Sequence, residues 1–292
     1  MLSMSRIIAT LPWSSSLLPE PKLDLSTDAS VEPRLTWLAP LLRVAPDDQP
    51  WLIGANGHVL RRSDSWQRVA IPGGQLQGLA PQAGGSAVLL LGPEGGPWSL
   101  VGIDSYSQTQ WRTEVPEPTG QGARLALLQD EQGRPYLYQP DRGGLIRRVD
   151  STDGELTIVA DLPGYNAAVW VWEEAVWRIQ YAEKRRRWVR RPFGGTDQEI
   201  SAADALQDTV LTAIGVRPDG GPLLTDGARL ISITPSGITT EIPLPLVTGP
   251  HVLDLLRACA RSNGEVWVVA VDTHGTKIYT LSASASNQED RA

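Results

Sequence analysis

Thr157-Ile-Val-Ala-Asp-Leu-Pro163 is one of five copies of a single phrase, a short strand of alternating character that ends in proline. The others are Arg6-Ile-Ile-Ala-Thr-Leu-Pro12, Gln67-Arg-Val-Ala-Ile-Pro72, Arg112-Thr-Glu-Val-Pro116 and Thr239-Thr-Glu-Ile-Pro243. From Pro72 onward the prolines stand 44, 47 and then 80 residues apart. The last interval holds two units, with a worn copy near Gln198-Glu-Ile-Ser201. Between copies, short alternating runs are separated by turn pairs such as Asp153-Gly154, Asp219-Gly220, Ser236-Gly237 and Asn263-Gly264.

A period of roughly 40 to 45 residues with four short strands per unit predicts an all-β, six-bladed β-propeller with four-stranded blades. The second unit divides into Leu76–Ala80, Ala87–Leu91, Trp98–Ile103 and Thr109–Val115. The last unit supplies only three strands, Val252–Ala260, Val266–Val271 and Lys277–Leu281. Its fourth is expected from the N-terminal phrase Arg6–Leu11, which closes the last blade and removes two free edges. The expected organisation is one domain over residues 1–283, with a Pro- and Ser-rich insertion at 13–34 and a disordered polar tail at 284–292.

The net charge of −7 argues against nucleic acid as a partner, because phosphate binding requires a clustered positive surface. The single cysteine, Cys259, excludes an internal disulfide and fits a reducing compartment. No apolar run reaches the length of a membrane span. The expectation is a cytoplasmic protein with no membrane partner and no cofactor.

Gly215-Val-Arg-Pro-Asp-Gly-Gly-Pro-Leu-Leu-Thr-Asp-Gly-Ala-Arg-Leu-Ile-Ser-Ile-Thr-Pro-Ser-Gly-Ile-Thr-Thr-Glu-Ile-Pro-Leu-Pro245 resembles one repeat of the virginiamycin B lyase and NHL-type propellers. Leu100-Val-Gly-Ile-Asp-Ser-Tyr-Ser-Gln-Thr-Gln-Trp111 is similar to a quinoprotein-like repeat. The lyase resemblance implies a metal held by acidic and histidine side chains, including a Glu-x-His pair. No Glu-x-His occurs in this chain. Gluconolactonase-type propellers imply a central Glu/Asn/Asp metal site, a pattern that the four asparagines here do not match.

Two groups of residues carry candidate chemistry. Under the repeat division, His58 and His274 fall between the second and third strands of their units, and His251 begins the first strand of the last unit. All three then share one face, near Asp272 and Asp254, where they can bind a divalent metal or move protons. The bland reading is three solvated turn histidines. The second group is Lys184, Arg185, Arg186, Arg187, Trp188, Arg190 and Arg191, six cations in eight residues. It reads either as a charged edge hairpin or as a docking patch for an acidic protein surface or nucleic acid, with Trp188 free to stack. Trp170 and Trp172 share one face of a strand and read as inter-sheet core before a sugar platform.

No nucleophile elbow, phosphate loop or His-Glu-x-x-His is present. The leading expectation is therefore a non-catalytic protein-interaction scaffold. The alternative is a metal-assisted lyase or lactonase using His58, His251, His274 and Asp272 at one mouth of the central channel.

Overall fold

The computed structural model describes residues 15–17, 41–53, 59–63, 66–92, 97–117, 125–140, 144–164, 166–182, 185–200, 212–216, 222–225, 229–233, 239–243, 257–260, 266–272 and 275–281. Apart from one 3-10 turn at Ala83–Gly85, their regular structure is β. After β1 (Ser15–Leu17), the first sheet is β2 (Leu41–Val44), β3 (Pro50–Ile53), β4 (Val59–Arg62) and β5 (Trp66–Val69). The second is β6 (Gln75–Pro81), β7 (Ala87–Gly92), β8 (Ser99–Ile103) and β9 (Thr109–Glu114). The third is β10 (Ala126–Gln129), β11 (Pro135–Gln139), β12 (Leu145–Val149) and β13 (Leu156–Asp161).

The fourth sheet is β14 (Asn166–Trp172), β15 (Ala175–Ala182), β16 (Arg185–Pro192) and β17 (Gln198–Ile200). The fifth is β18 (Thr212–Val216), β19 (Pro222–Thr225), β20 (Arg229–Ile233) and β21 (Thr239–Pro243). The sixth is β22 (Arg257–Ala260), β23 (Val266–Asp272) and β24 (Gly275–Leu281), with β1 on its outer edge. Every pairing is antiparallel between consecutive strands, except that β1 joins β24.

The phrase that repeats in sequence is the outermost strand. It forms β5, β9, β13 and β21, and the worn copy forms β17. Proline has no N–H to donate, so it ends a ladder, and an outer strand tolerates it best. The first strands of successive sheets (β2, β6, β10, β14, β18, β22) lie beside one another, and β22 also lies beside β2.

Period-two alternation lets each sheet supply two cores. In β7, Leu89 and Leu91 join Val101 and Ile103 against Trp51, Ile53 and Val59 of the first sheet. Val88 and Leu90 point the other way with Leu100, onto Leu125, Leu127 and Leu137 of the third. A strand covered on both faces must be apolar throughout, and Ala87-Val-Leu-Leu-Leu-Gly92 is. Tyr136, Ile146 and Leu162 meet Val171 and Val176 between the third and fourth sheets. Trp170, Trp172, Ile179 and Trp188 meet Leu224 and Ile231 between the fourth and fifth.

The expected closing strand needs correction. Arg6–Leu11 lies outside the described residues, and β1 occupies the edge of the sixth sheet. It pairs Ser15 with Leu281, Ser16 with Thr280 and Leu17 with Tyr279. This strand falls inside the stretch 13–34 read as an insertion. An edge strand is held by main-chain hydrogen bonds, which any residue except proline supplies in full, so the slot does not require the repeated phrase. Among the described residues no helix is long and apolar enough to cross a membrane.

Candidate functional site

The four-strand meander sends its connections to two ends. Links from first to second and from third to fourth strand lie at one end, which we term the short-turn end. Links from second to third strand, and from each sheet to the next, lie at the other. At the short-turn end the fully described connections are 45–49, 82–86, 104–108, 130–134, 150–155, 173–174 and 193–197. At the opposite, long-connection end, β1, β9, β17 and β21 finish and β2, β10, β18 and β22 begin, with residues 18–40, 115–125, 201–211 and 244–256 between them in sequence.

Carboxylates build the short turns by accepting main-chain N–H groups, the habit of Asp at turn starts. Asp104 Oδ1 accepts from Tyr106 and Gln108, both at 2.9 Å. Asp130 Oδ1 accepts from Gln132 at 3.0 Å and Arg134 at 2.8 Å. Its Oδ2 takes Arg134 Nε at 2.6 Å and the Tyr136 hydroxyl at 3.1 Å. Burial, and then the Asp130 charge, push the Tyr136 phenol well above its ordinary value. Asp150 Oδ1 accepts Thr152 Oγ1 at 2.6 Å and Thr152 N at 2.8 Å, which hold its carboxyl below the usual range.

The turns of neighbouring sheets are also tied together. Gly84 N donates to Asp47 Oδ2 at 2.8 Å, and Gln82 Nε2 to the Gly133 carbonyl at 2.6 Å. Arg134 Nη1 lies 3.4 Å from Glu174 Oε1, and Glu173 N donates to Glu131 Oε2 at 3.3 Å. Glu173 and Glu174 both take positive φ, 49° and 52°, in the tight turn that joins β14 to β15.

Of the predicted metal-binding residues, His58, His251, His274 and Asp254 lie outside the described residues. Asp272 ends β23. The chain places His58 between β3 and β4, His274 between β23 and β24, and His251 between β21 and β22. The described strands that flank these positions finish and begin at the long-connection end. Among the described residues no three His, Cys, Asp or Glu side chains gather as a metal site.

The basic run is not an edge hairpin. Lys184 lies outside the described residues, and Arg185 to Pro192 form β16, paired on both sides by β15 and β17. Trp188 is buried and meets Trp170 edge-on with centroids 6.1 Å apart, so it is closed to a stacking partner. Strand alternation turns it inward with Ile179, its cross-strand partner. Arg190 donates to Gln198 Oε1 at 3.3 Å and sits over the Trp177 ring at 5.7 Å. Arg191 donates Nε to the Gly195 carbonyl at 3.2 Å, with Nη1 3.6 Å from Asp197 Oδ1. Arg190 and Arg191 lie towards the short-turn end, and Arg185, Arg186 and Arg187 towards the long-connection end.

Sequence reasoning missed a buried polar cluster between the third and fourth sheets. Arg178 is fully buried, its Nη2 2.5 Å from Asp197 Oδ2. Its Nη1 donates to the Pro163 carbonyl at 2.9 Å and to Asn166 Oδ1 at 3.1 Å. Burial lowers the guanidinium pKa, opposed by the Asp197 charge. The signal in sequence is a lone cation inside the apolar stretch Ala175-Val-Trp-Arg-Ile.

No protein-family model matches this chain, and no curated protein matches it. Solved structures do. Virginiamycin B lyase from Staphylococcus aureus is similar over 92% of this chain and 88% of its own, with 12% identity and a TM-score of 0.51. The major Malassezia sympodialis allergen Mala s 1 matches 84% of this chain and 92% of its own, with 12% identity and a TM-score of 0.53. The fold is β-propeller-like. At such identities the likeness extends to the fold and not to the chemistry.

Proposed function

We propose that this protein is a non-catalytic, cytoplasmic scaffold: a closed six-bladed β-propeller that docks another protein on its long-connection end. The observation that carries the reading is the unequal division of connections between the two ends. The described short turns are tied to one another and their carboxylates are engaged with turn N–H groups, whereas the strands that bound 18–40, 115–125, 201–211 and 244–256 in sequence finish and begin at the opposite end. Binding residues concentrate on long loops held by a rigid frame. Closure of the ring is supported by β22 lying beside β2 and by β1 completing the sixth sheet. Residues 1–283 form the domain in this reading, and 284–292 a tail. The single cysteine fits a reducing compartment.

The partner offers an acidic surface to Lys184, Arg185, Arg186 and Arg187. A partner identified by affinity capture is expected to lose binding to the triple variant Lys184→Glu, Arg185→Glu, Arg186→Glu. Undiminished binding removes the basic segment from the reading.

A second reading, a metal-assisted lyase or lactonase, draws on His58, His251 and His274, whose flanking strands finish and begin at the same end. Elemental analysis of the purified protein decides it. A stoichiometric divalent metal that is lost when the three histidines are replaced by alanine supports the enzyme, and metal-free protein removes it.

A further inference from the structure

We propose that the Gln129 side chain seals the central channel at the short-turn end, so that a ligand reaches the axis only from the long-connection end. This rests on the closed-ring reading above and specifies which mouth is open. Gln129 ends β10 and donates Nε2 to two carbonyls, Val44 at 3.3 Å and Pro81 at 3.1 Å. Val44 ends β2 and Pro81 ends β6. One side-chain amide therefore joins the inner strands of three consecutive sheets.

Packed sheets stand about 10 Å apart, so strands separated by a whole sheet lie beyond a glutamine's reach unless they converge. Here they converge. Pro46, beside the end of β2, lies so close to Gly133, beyond β10, that a Cβ at 133 would collide with the proline ring. The first and third sheets thus meet across the second. Gln82, just past β6, adds its bond to the Gly133 carbonyl at the same place. Gln129 Oε1 is out of reach of solvent and has no hydrogen-bond partner among the described residues. A plug at the axis has this character: its donors are engaged on the strands around it, and water does not reach its acceptor.

Hydrogen exchange of the full chain, read by mass spectrometry, tests the seal in Gln129→Gly and Gln129→Met. Opening the axis with glycine is expected to speed exchange roughly tenfold in 41–50, 75–86 and 125–134 together, the scale of losing ordinary hydrogen bonds, with 166–182 unchanged. Faster exchange confined to 125–134, or no change anywhere, overturns the proposal. If Gln129→Gly loosens 166–182 as well, Gln129→Met decides by the same comparison, because it keeps the volume and removes the donor. A Ser16→Cys and Thr280→Cys pair on a Cys259→Ala background reports ring closure separately. If that disulfide fails to form, the closed ring falls and the seal with it. If it forms while exchange stays confined to 125–134, only the seal falls.

Discussion

Arg178 and Asp197 form an ion pair, Nη2 to Oδ2 at 2.5 Å, in which the cation is fully buried and the carboxylate is 35% exposed. Burial disfavours the charged guanidinium, so the fold tolerates it through Asp197, Asn166 and the Pro163 carbonyl. Asp197→Ala is expected to destabilise the protein by about 2–3 kcal/mol in chemical denaturation. That is below the loss for a fully buried pair, because water screens the exposed side. Replacing both partners, Arg178→Met with Asp197→Leu, is expected to cost less than Asp197→Ala alone. A double variant less stable than Asp197→Ala contradicts this account.

The N-terminal strand makes a sharp prediction because its position differs from the sequence expectation. Deleting residues 1–12 spares β1 and is expected to cost less stability than deleting residues 1–18. Deleting residues 1–18 removes the three pairs with Leu281, Thr280 and Tyr279 and exposes the edge of β24. A loss of about 2–4 kcal/mol is expected for three residue pairs of main-chain hydrogen bonds.

Gly133 has φ of +79° and faces the Pro46 ring. Alanine there suffers both the left-handed backbone and the collision, so Gly133→Ala is expected to cost about 2–3 kcal/mol. Gly84, at φ +71° with open space around it, carries the backbone cost alone. The difference between the two variants in thermal unfolding isolates the contact between the first and third sheets.

The Asp150 carboxyl titrates below its ordinary value because Thr152 donates to it twice. Its folded value is depressed, so the stabilisation is present above the unfolded value of about 4 and is lost as pH falls through the lower folded value. Carbon-detected NMR titration is expected to show this depression. Thr152→Val, which removes the hydroxyl donor, is expected to raise the value. An unchanged titration in that variant excludes the hydroxyl as the cause.

Most of the sheet architecture was legible because strands and turns leave local marks. Gln198-Glu-Ile formed the expected outer strand although its proline is missing, since its neighbours in the period fixed where it belonged. The closing strand was misplaced because Arg6–Leu11 carries the repeated phrase and Ser15–Leu17 does not, while edge pairing depends on main-chain groups common to both. Trp188 looked available beside five arginines and a lysine. Only the strand register shows that it points inward while its neighbours alternate. Arg178 and Gln129 were illegible for another reason: their partners, Asp197 and Val44, lie 19 and 85 residues away.

The uniformly apolar β7, needed because both of its faces are covered, has a cost during biosynthesis. Ala87-Val-Leu-Leu-Leu-Gly92 has no charge and no proline, the composition of a self-associating segment. Until the sheets on either side have assembled, a nascent chain displays this sticky hexamer to its neighbours. Crowded expression at high temperature therefore favours inclusion bodies seeded by the second sheet, and a chaperone that shields short leucine-rich stretches would find its first client site there.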